Sequence, residues 1–205
     1  MRPAPVTAVV LAAGGSRRLG RPKQLLVLAG QPLVRRAALA ALGSCAAHTL
    51  VVTGAQARDV ERALAGLAVE CVHCAGWEKG LAASLRAGVG AALARDPHAS
   101  VLLLLADQPA VDSALLDHLV ALHASGRELA ACHYGGELGV PALFAPRFAR
   151  ELLALDGDRG AKPLLARERA RVAAIPFEAG ALDVDTPEDW ERVSRLFDAR
   201  GVESR

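Results

Sequence analysis

Aromatic residues are scarce in this chain: Phe, Trp and Tyr supply only 3% of its 205 residues. A core must then rest on Ala, Val and Leu. Lysine is confined to Lys23, Lys79 and Lys162, and the arginine excess by itself carries no functional meaning. The four cysteines, Cys45, Cys71, Cys74 and Cys132, are too few for a disulfide scaffold of this size. Cys71 and Cys74 form a C-x-x-C around His73, but no further ligands flank it at metal-binding spacing. Small apolar thiols in and around a strand account for the pair. No apolar stretch approaches the roughly 18 residues of a membrane span. The apolar run Val6 to Ala13 follows Arg2 and is near the minimum for a signal peptide. It leads into Gly14, Gly15, Ser16, Arg17 and Arg18 without a small-residue cleavage site. The expectation is a soluble, cytoplasmic protein. A net charge of +2 is too small to attract nucleic acid through bulk electrostatics, although it allows a local basic patch near the N-terminus.

What is present is a 52% hydrophobic composition, which excludes disorder as the overall state. Repeats, low-complexity tracts and linkers are missing, so residues 1–205 read as one domain with a sizeable core. Short apolar strands alternate with amphipathic helices. Strands are expected at 7–11, 48–53, 67–72, 101–106, 129–133, 140–144 and 172–175. Helices are expected at 31–42, with Pro32 in its first position, and at 55–65, 78–93 and 112–124. Shorter helical pieces follow at 146–153 and 161–169, and a last helix comes after the 183–189 segment. The run Val101 to Ala106 does not alternate, as befits a strand buried on both faces of a parallel sheet. Strand and helix in alternation imply right-handed crossovers and a three-layer α/β/α sandwich. Its Rossmann-like, mostly parallel sheet would have about seven strands.

The most informative segment is Leu11-Ala12-Ala13-Gly14-Gly15-Ser16-Arg17-Arg18-Leu19-Gly20-Arg21-Pro22-Lys23. A strand delivers the backbone into glycines whose N–H groups can approach a phosphate. Arg17, Arg18, Arg21 and Lys23 then need solvent or an anion between them, and a triphosphate would serve. The glycines alone fit a solvated, arginine-rich turn equally well. The loop is neither G-x-x-x-x-G-K-[ST] nor G-x-G-x-x-G, which disfavours P-loop enzymes and nicotinamide oxidoreductases. Asp107 ends the buried strand, and Pro109 prevents its continuation. At that position a carboxylate either caps a turn or faces the ligand crevice. In Asp183-Val184-Asp185 an extended backbone would put both Asp side chains on one side. Thr186, Pro187 and Asp189 read as the N-cap, first position and capping box of the last helix. Asp107 and Asp185 together suit Mg²⁺, which takes one or two carboxylates plus phosphate oxygens.

The N-terminal segment resembles the L-A-A-G-x-S-x-R-M-G-x-P-K signature of the nucleotidyltransferases related to molybdenum cofactor synthesis. Leu19 stands where that family usually has methionine. Ala106-Asp107-Gln108-Pro109 is similar to the family's metal-binding D-[MQ]-P, and residues 183–189 to its D-[IV]-D-T-P-E-D. Ser84-Leu85-Arg86-Ala87-Gly88 resembles its S-L-R-x-G. Gly139 to Phe144 and Gly157 to Lys162 resemble two further motifs that border the acceptor, with Val140 and Lys162 as departures.

The resemblance implies that Leu11, Ala12, Ala13, Gly14, Gly15 and Ser16, with Ser84, bind a nucleotide. Arg18 and Lys23 would contact its phosphates, and Asp107 and Asp185 would hold Mg²⁺. Catalysis would rest on Arg18, Lys23 and Asp107. The implied activity moves CMP from CTP to a phosphorylated acceptor, molybdopterin first, with a molybdoenzyme as recipient of the product. Related guanylyltransferases carry Gly-Gly after Leu-Ala; Ala13 here would narrow the base pocket against guanine. Isoprenoid-precursor and sugar-phosphate nucleotidyltransferases rank next, the former because of Pro22-Lys23-Gln24. A non-catalytic chaperone of the molybdenum cofactor is the reading from another class.

Overall fold

The computed structural model describes residues 4–202, with side chains to residue 198. Arg2, the basic flank of the apolar N-terminal run, and both ends of the expected 1–205 domain lie outside the described residues. The central sheet has seven strands: β1 (Val6–Leu11), β4 (His48–Thr53), β5 (Glu70–His73), β6 (Ser100–Leu105), β7 (Leu129–Tyr134), β8 (Glu137–Phe144) and β9 (Val172–Pro176). Their order is β5-β4-β1-β6-β8-β7-β9. Every pairing is parallel except those of β8, which runs antiparallel to both β6 and β7. This is the expected three-layer α/β/α arrangement.

The unalternating β6 run divides its leucines between the layers. Val101 and Leu103 pack with α3 (Leu81–Arg95), α5 (Ala149–Leu153) and α6 (Lys162–Arg167). Leu102 and Leu104 pack with α1 (Leu33–Leu42), α2 (Ala57–Ala63) and α4 (Ser113–Ala124). Each buried leucine contributes about 1.5–3 kcal/mol of transfer free energy. With so few aromatics, the core is closed mainly by Ala, Val and Leu, as expected; Phe144 and Phe148 are the largest fully buried side chains.

Several boundaries move, each for a local reason. The first helix starts at Leu33 rather than Gln31, because β3 (Gln31–Pro32) pairs with β2 (Val27–Leu28) around the Gly30 turn. Pro32 is therefore its N-cap, outside the first helical position. The edge strand β5 pairs only with Leu50–Thr53 of β4 and begins at Glu70 instead of Leu67. Gly80, at φ 103°, separates a short 3-10 turn (Trp77–Lys79) from α3. Asp112 caps α4 from outside, accepting the Leu115 N–H at 2.8 Å. The last helix, α7 (Pro187–Val202), packs Trp190, Val193 and Phe197 against Leu19, Leu26, Leu28 and Leu33. The last helix therefore packs against the segment that follows the first loop. Cys71 is exposed, Cys74 is buried, and both are free thiols. Among the described residues, no helix is long and apolar enough to cross a membrane.

Candidate functional site

β1 and β6 are adjacent and parallel, so their carboxyl ends deliver Ala12–Gly15 and Asp107 to the same edge of the sheet. The loop after β1 is held by its own carbonyls. Gln24 is 2% exposed, and its Nε2 donates to Ala12 O at 3.0 Å and Gly14 O at 2.5 Å. Ala13 O accepts the Ala55 N–H. Carbonyl and N–H point opposite ways within one planar peptide. Turning the Ala12 and Gly14 carbonyls onto Gln24 therefore directs the Ala13 and Gly15 N–H groups away from it. Ser16 adopts φ 51°, uncommon for a residue with a Cβ. Its Oγ accepts the Lys23 N–H at 3.0 Å and donates to Gln24 Oε1 at 3.3 Å. Sequence reasoning missed Gln24; the only available signal was its place directly after Lys23.

The second acidic segment is fastened to the first by backbone: the Val184 N–H donates to Asp107 O at 3.1 Å. Val184 is fully buried, which leaves Asp183 and Asp185 flanking it on the cavity side. Asp189 supplies the expected capping box. Its Oδ2 accepts the backbone N–H groups of Asp185 and Thr186 and the Thr186 hydroxyl, while Thr186 Oγ1 accepts the Asp189 N–H.

The structure brings the two predicted carboxylates and the two predicted cations together. Lys23 Nζ donates to Asp107 Oδ2 and, at 2.8 Å, to Asp185 Oδ1; Arg18 reaches Asp185 Oδ2 at 2.6 Å. The anions that neutralise Arg18 and Lys23 are thus the chain's own carboxylates, where the sequence suggested solvent or a bound triphosphate. Burial lowers the Lys23 pKa, but Asp107 and Asp185 outweigh it and the net shift is upward. Burial raises that of Asp185, but hydrogen bonds and charge from Lys23 and Arg18 bring it below the ordinary value. Asp183 is raised, first by burial and then by the charges of Asp107 and Asp185. Asp107 Oδ1 is buried without a hydrogen-bond partner.

These groups line one cavity of about 630 Å³ together with Leu11 and Ala12 to Gly15. Ser16 supports the loop from behind. Ser84, 4% exposed, lines the same cavity from inside the first turn of α3; Gly80, not Ser84, occupies the cap position. Trp77 lines it too and was not anticipated. A second cavity of about 450 Å³ shares Leu11, Leu81, Leu105, Asp158 and Asp183 with the first. It lies against Val140 and Lys162, from the two motifs expected to border an acceptor. Gln108 Nε2 donates to Gly180 O and to the Tyr134 hydroxyl, which in turn donates to Val140 O. Among the described residues, no group of three or more His, Cys, Asp or Glu side chains is arranged to hold a metal ion.

Comparison with known proteins points the same way. The family described as MobA-like NTP transferase domain matches residues 8–172. The purine catabolism protein PucB of Bacillus subtilis is 32% identical, over 96% of this chain and 100% of its own. The nicotine blue oxidoreductase of Paenarthrobacter nicotinovorans is 31% identical, over 92% of this chain and 96% of its own. Among solved structures, Rv0371c of Mycobacterium tuberculosis superposes with a TM-score of 0.82 at 31% identity, covering 95% of this chain and all of that one. Rv0371c has also been solved in complex with manganese, and that structure superposes with a TM-score of 0.77 at 30% identity, covering 94% of this chain and 99% of that one.

Proposed function

The chain belongs to the MobA-like NTP transferase family, and from that premise we propose that it is a Mg²⁺-dependent nucleotidyltransferase. It transfers CMP from CTP to a phosphorylated acceptor of the molybdopterin type and releases pyrophosphate. The observation that carries this reading is the meeting of Lys23, Arg18, Asp107 and Asp185 beside the Gln24-braced loop.

The residues fit a hard divalent cation. Asp107 keeps a buried oxygen without a partner, and the facing oxygens of Asp107 and Asp185 already share the positive charge of Lys23. Two carboxylates, completed by phosphate oxygens and water, make an ordinary Mg²⁺ site without a third protein ligand. When bound, the metal supplies charge neutralisation on the phosphate oxygens.

An oxygen of the acceptor phosphate attacks the α-phosphorus; the bond to the bridging oxygen breaks, and pyrophosphate leaves with that electron pair. The protein's part is positioning and electrostatics. The Ala13 and Gly15 N–H groups hold phosphate oxygens, and Arg18 and Lys23 offset the crowded negative charge. The second cavity holds the acceptor next to that centre. An acceptor phosphate is already nucleophilic at neutral pH, so no general base is required.

The test is a screen of phosphorylated acceptors with CTP and Mg²⁺, read by pyrophosphate release, with GTP in parallel. Release with molybdopterin and CTP supports the proposal, whereas a clear GTP preference removes the cytidylyl assignment. Asp107→Ala separates enzyme from carrier: an enzyme stays folded and loses turnover, while a chaperone still delivers molybdenum cofactor to a molybdoenzyme. The name of the Paenarthrobacter relative favours a second reading, an oxidoreductase on the same fold. Titration with NADH tests it, and saturable binding with turnover of a dye would replace the transferase reading.

A further inference from the structure

We infer that Trp77 is the platform on which the nucleobase of the substrate stacks, a role that rests on the transferase reading and adds to it. The indole lines the first cavity in company with Glu78, Leu81 and Ser84. Two glycines border this side chain. A Cβ at Gly15 would come within 2.8 Å of Trp77 Cζ3 and 3.0 Å of Cη2. One at Gly54 would meet the Ala13 carbonyl oxygen at 2.5 Å, and Ala13 Cβ and Trp77 Cβ each at 2.8 Å. Real Cβ atoms do not approach so closely, so Gly15 permits the seat of this ring against the loop, while Gly54 makes room for the Ala13 backbone and the root of the Trp77 side chain.

The seat explains where a base would go. The loop that directs the Ala13 and Gly15 N–H groups away from Gln24 runs directly beside the indole, so triphosphate and base are read by neighbouring residues. A half-buried tryptophan is an unusual wall for a phosphate site, because it offers neither charge nor an oxygen-binding group beyond one N–H. Its large apolar surface suits a planar ring, and stacking on any base contributes about 1–3 kcal/mol. The chain has only two tryptophans, and Trp190 is packed under the loop in the α7 cluster. The planar acceptor is the rival occupant. It is disfavoured here because Trp77 lines the first cavity and is not part of the second.

The experiment compares binding of CTP and of inorganic tripolyphosphate, each with Mg²⁺, to the wild type, Trp77→Leu and Trp77→Phe by calorimetry. Fluorescence is followed in a Trp190→Phe background. Trp77→Leu should weaken CTP about tenfold and leave tripolyphosphate unchanged. CTP, but not tripolyphosphate, should quench the remaining tryptophan. Trp77→Phe keeps an aromatic ring in the same cavity wall and should lose less; it carries the test if the leucine variant melts early. Equal weakening of both ligands would make Trp77 a brace for the loop and overturn the inference. So would unchanged CTP affinity in Trp77→Leu, and in either case the transferase reading survives. A wild type that binds tripolyphosphate and CTP with the same affinity overturns the platform alone. One that binds neither overturns both.

Discussion

Lys23 Nζ lies 2.5 Å from Asp107 Oδ2, with 19% of the lysine side chain and 9% of the aspartate exposed. The same ammonium holds Asp185, so one cation keeps two acidic segments from repelling each other. Breaking a buried pair strands a charge, at a cost of about 3–5 kcal/mol. Lys23→Met should therefore cost roughly 3 kcal/mol in urea unfolding. Lys23→Met combined with Asp107→Asn should cost less than the sum of the single changes. Strict additivity would mean the contact is not energetically coupled.

The pH dependence has a defined sign. Asp185 is lowered from 3.8, so its contribution is present above that value and is lost as pH falls through the lowered one. Lys23 is raised from 10.5, so its contribution is complete below that value and is lost as pH rises through the raised one. Asp183 is raised from 3.8: its contribution is complete below that value and is lost as pH rises through the raised one. Asp183→Asn should thus melt higher than wild type at neutral pH without divalent metal, and the difference should vanish below about pH 4. Thermal melts across that range check it; a gain that persists in acid would refute the electrostatic cause.

Removing the loop brace should weaken phosphate binding itself. Gln24→Leu leaves the Ala12 and Gly14 carbonyls without their donor, at about 1–3 kcal/mol. The Ala13 and Gly15 N–H groups also lose their fixed direction. Tripolyphosphate affinity should fall along with CTP affinity, unlike the pattern for Trp77→Leu.

Asp189 anchors Asp185 through the helix cap. Asp189→Ala should cost about 1 kcal/mol, or roughly 2–4 °C in melting temperature. It should also weaken Mg²⁺ binding, measured by calorimetry with the metal and tripolyphosphate. Full retention of metal affinity would show that Asp185 holds its place without the cap.

Much of this was legible in the sequence because it depended on local patterns. The β6 run announced a strand buried on both faces, and Thr186-Pro187-Glu188-Asp189 announced a cap that is present. The family signature placed Lys23, Asp107 and Asp185 in one site. What pattern could not supply were contacts between distant segments. Gln24 bonds backward to the carbonyls of a loop, and no periodicity marks that. Trp77 matters because of Gly15 and Gly54, which lie 62 and 23 positions before it. The β2–β3 pair consists of two-residue strands, too short for alternation to register. The internal neutralisation of Arg18 and Lys23 also required knowing that Val184 ties to Asp107.

The reversed direction of β8 has an evolutionary consequence. It brings Tyr134 and Glu137, which flank the Gly135–Gly136 turn, to the second cavity, while the loops that follow β1 and β6 line the first. Descendants of one ancestor that exchange or lengthen the hairpin would reshape the second cavity while inheriting the loop after β1 unaltered.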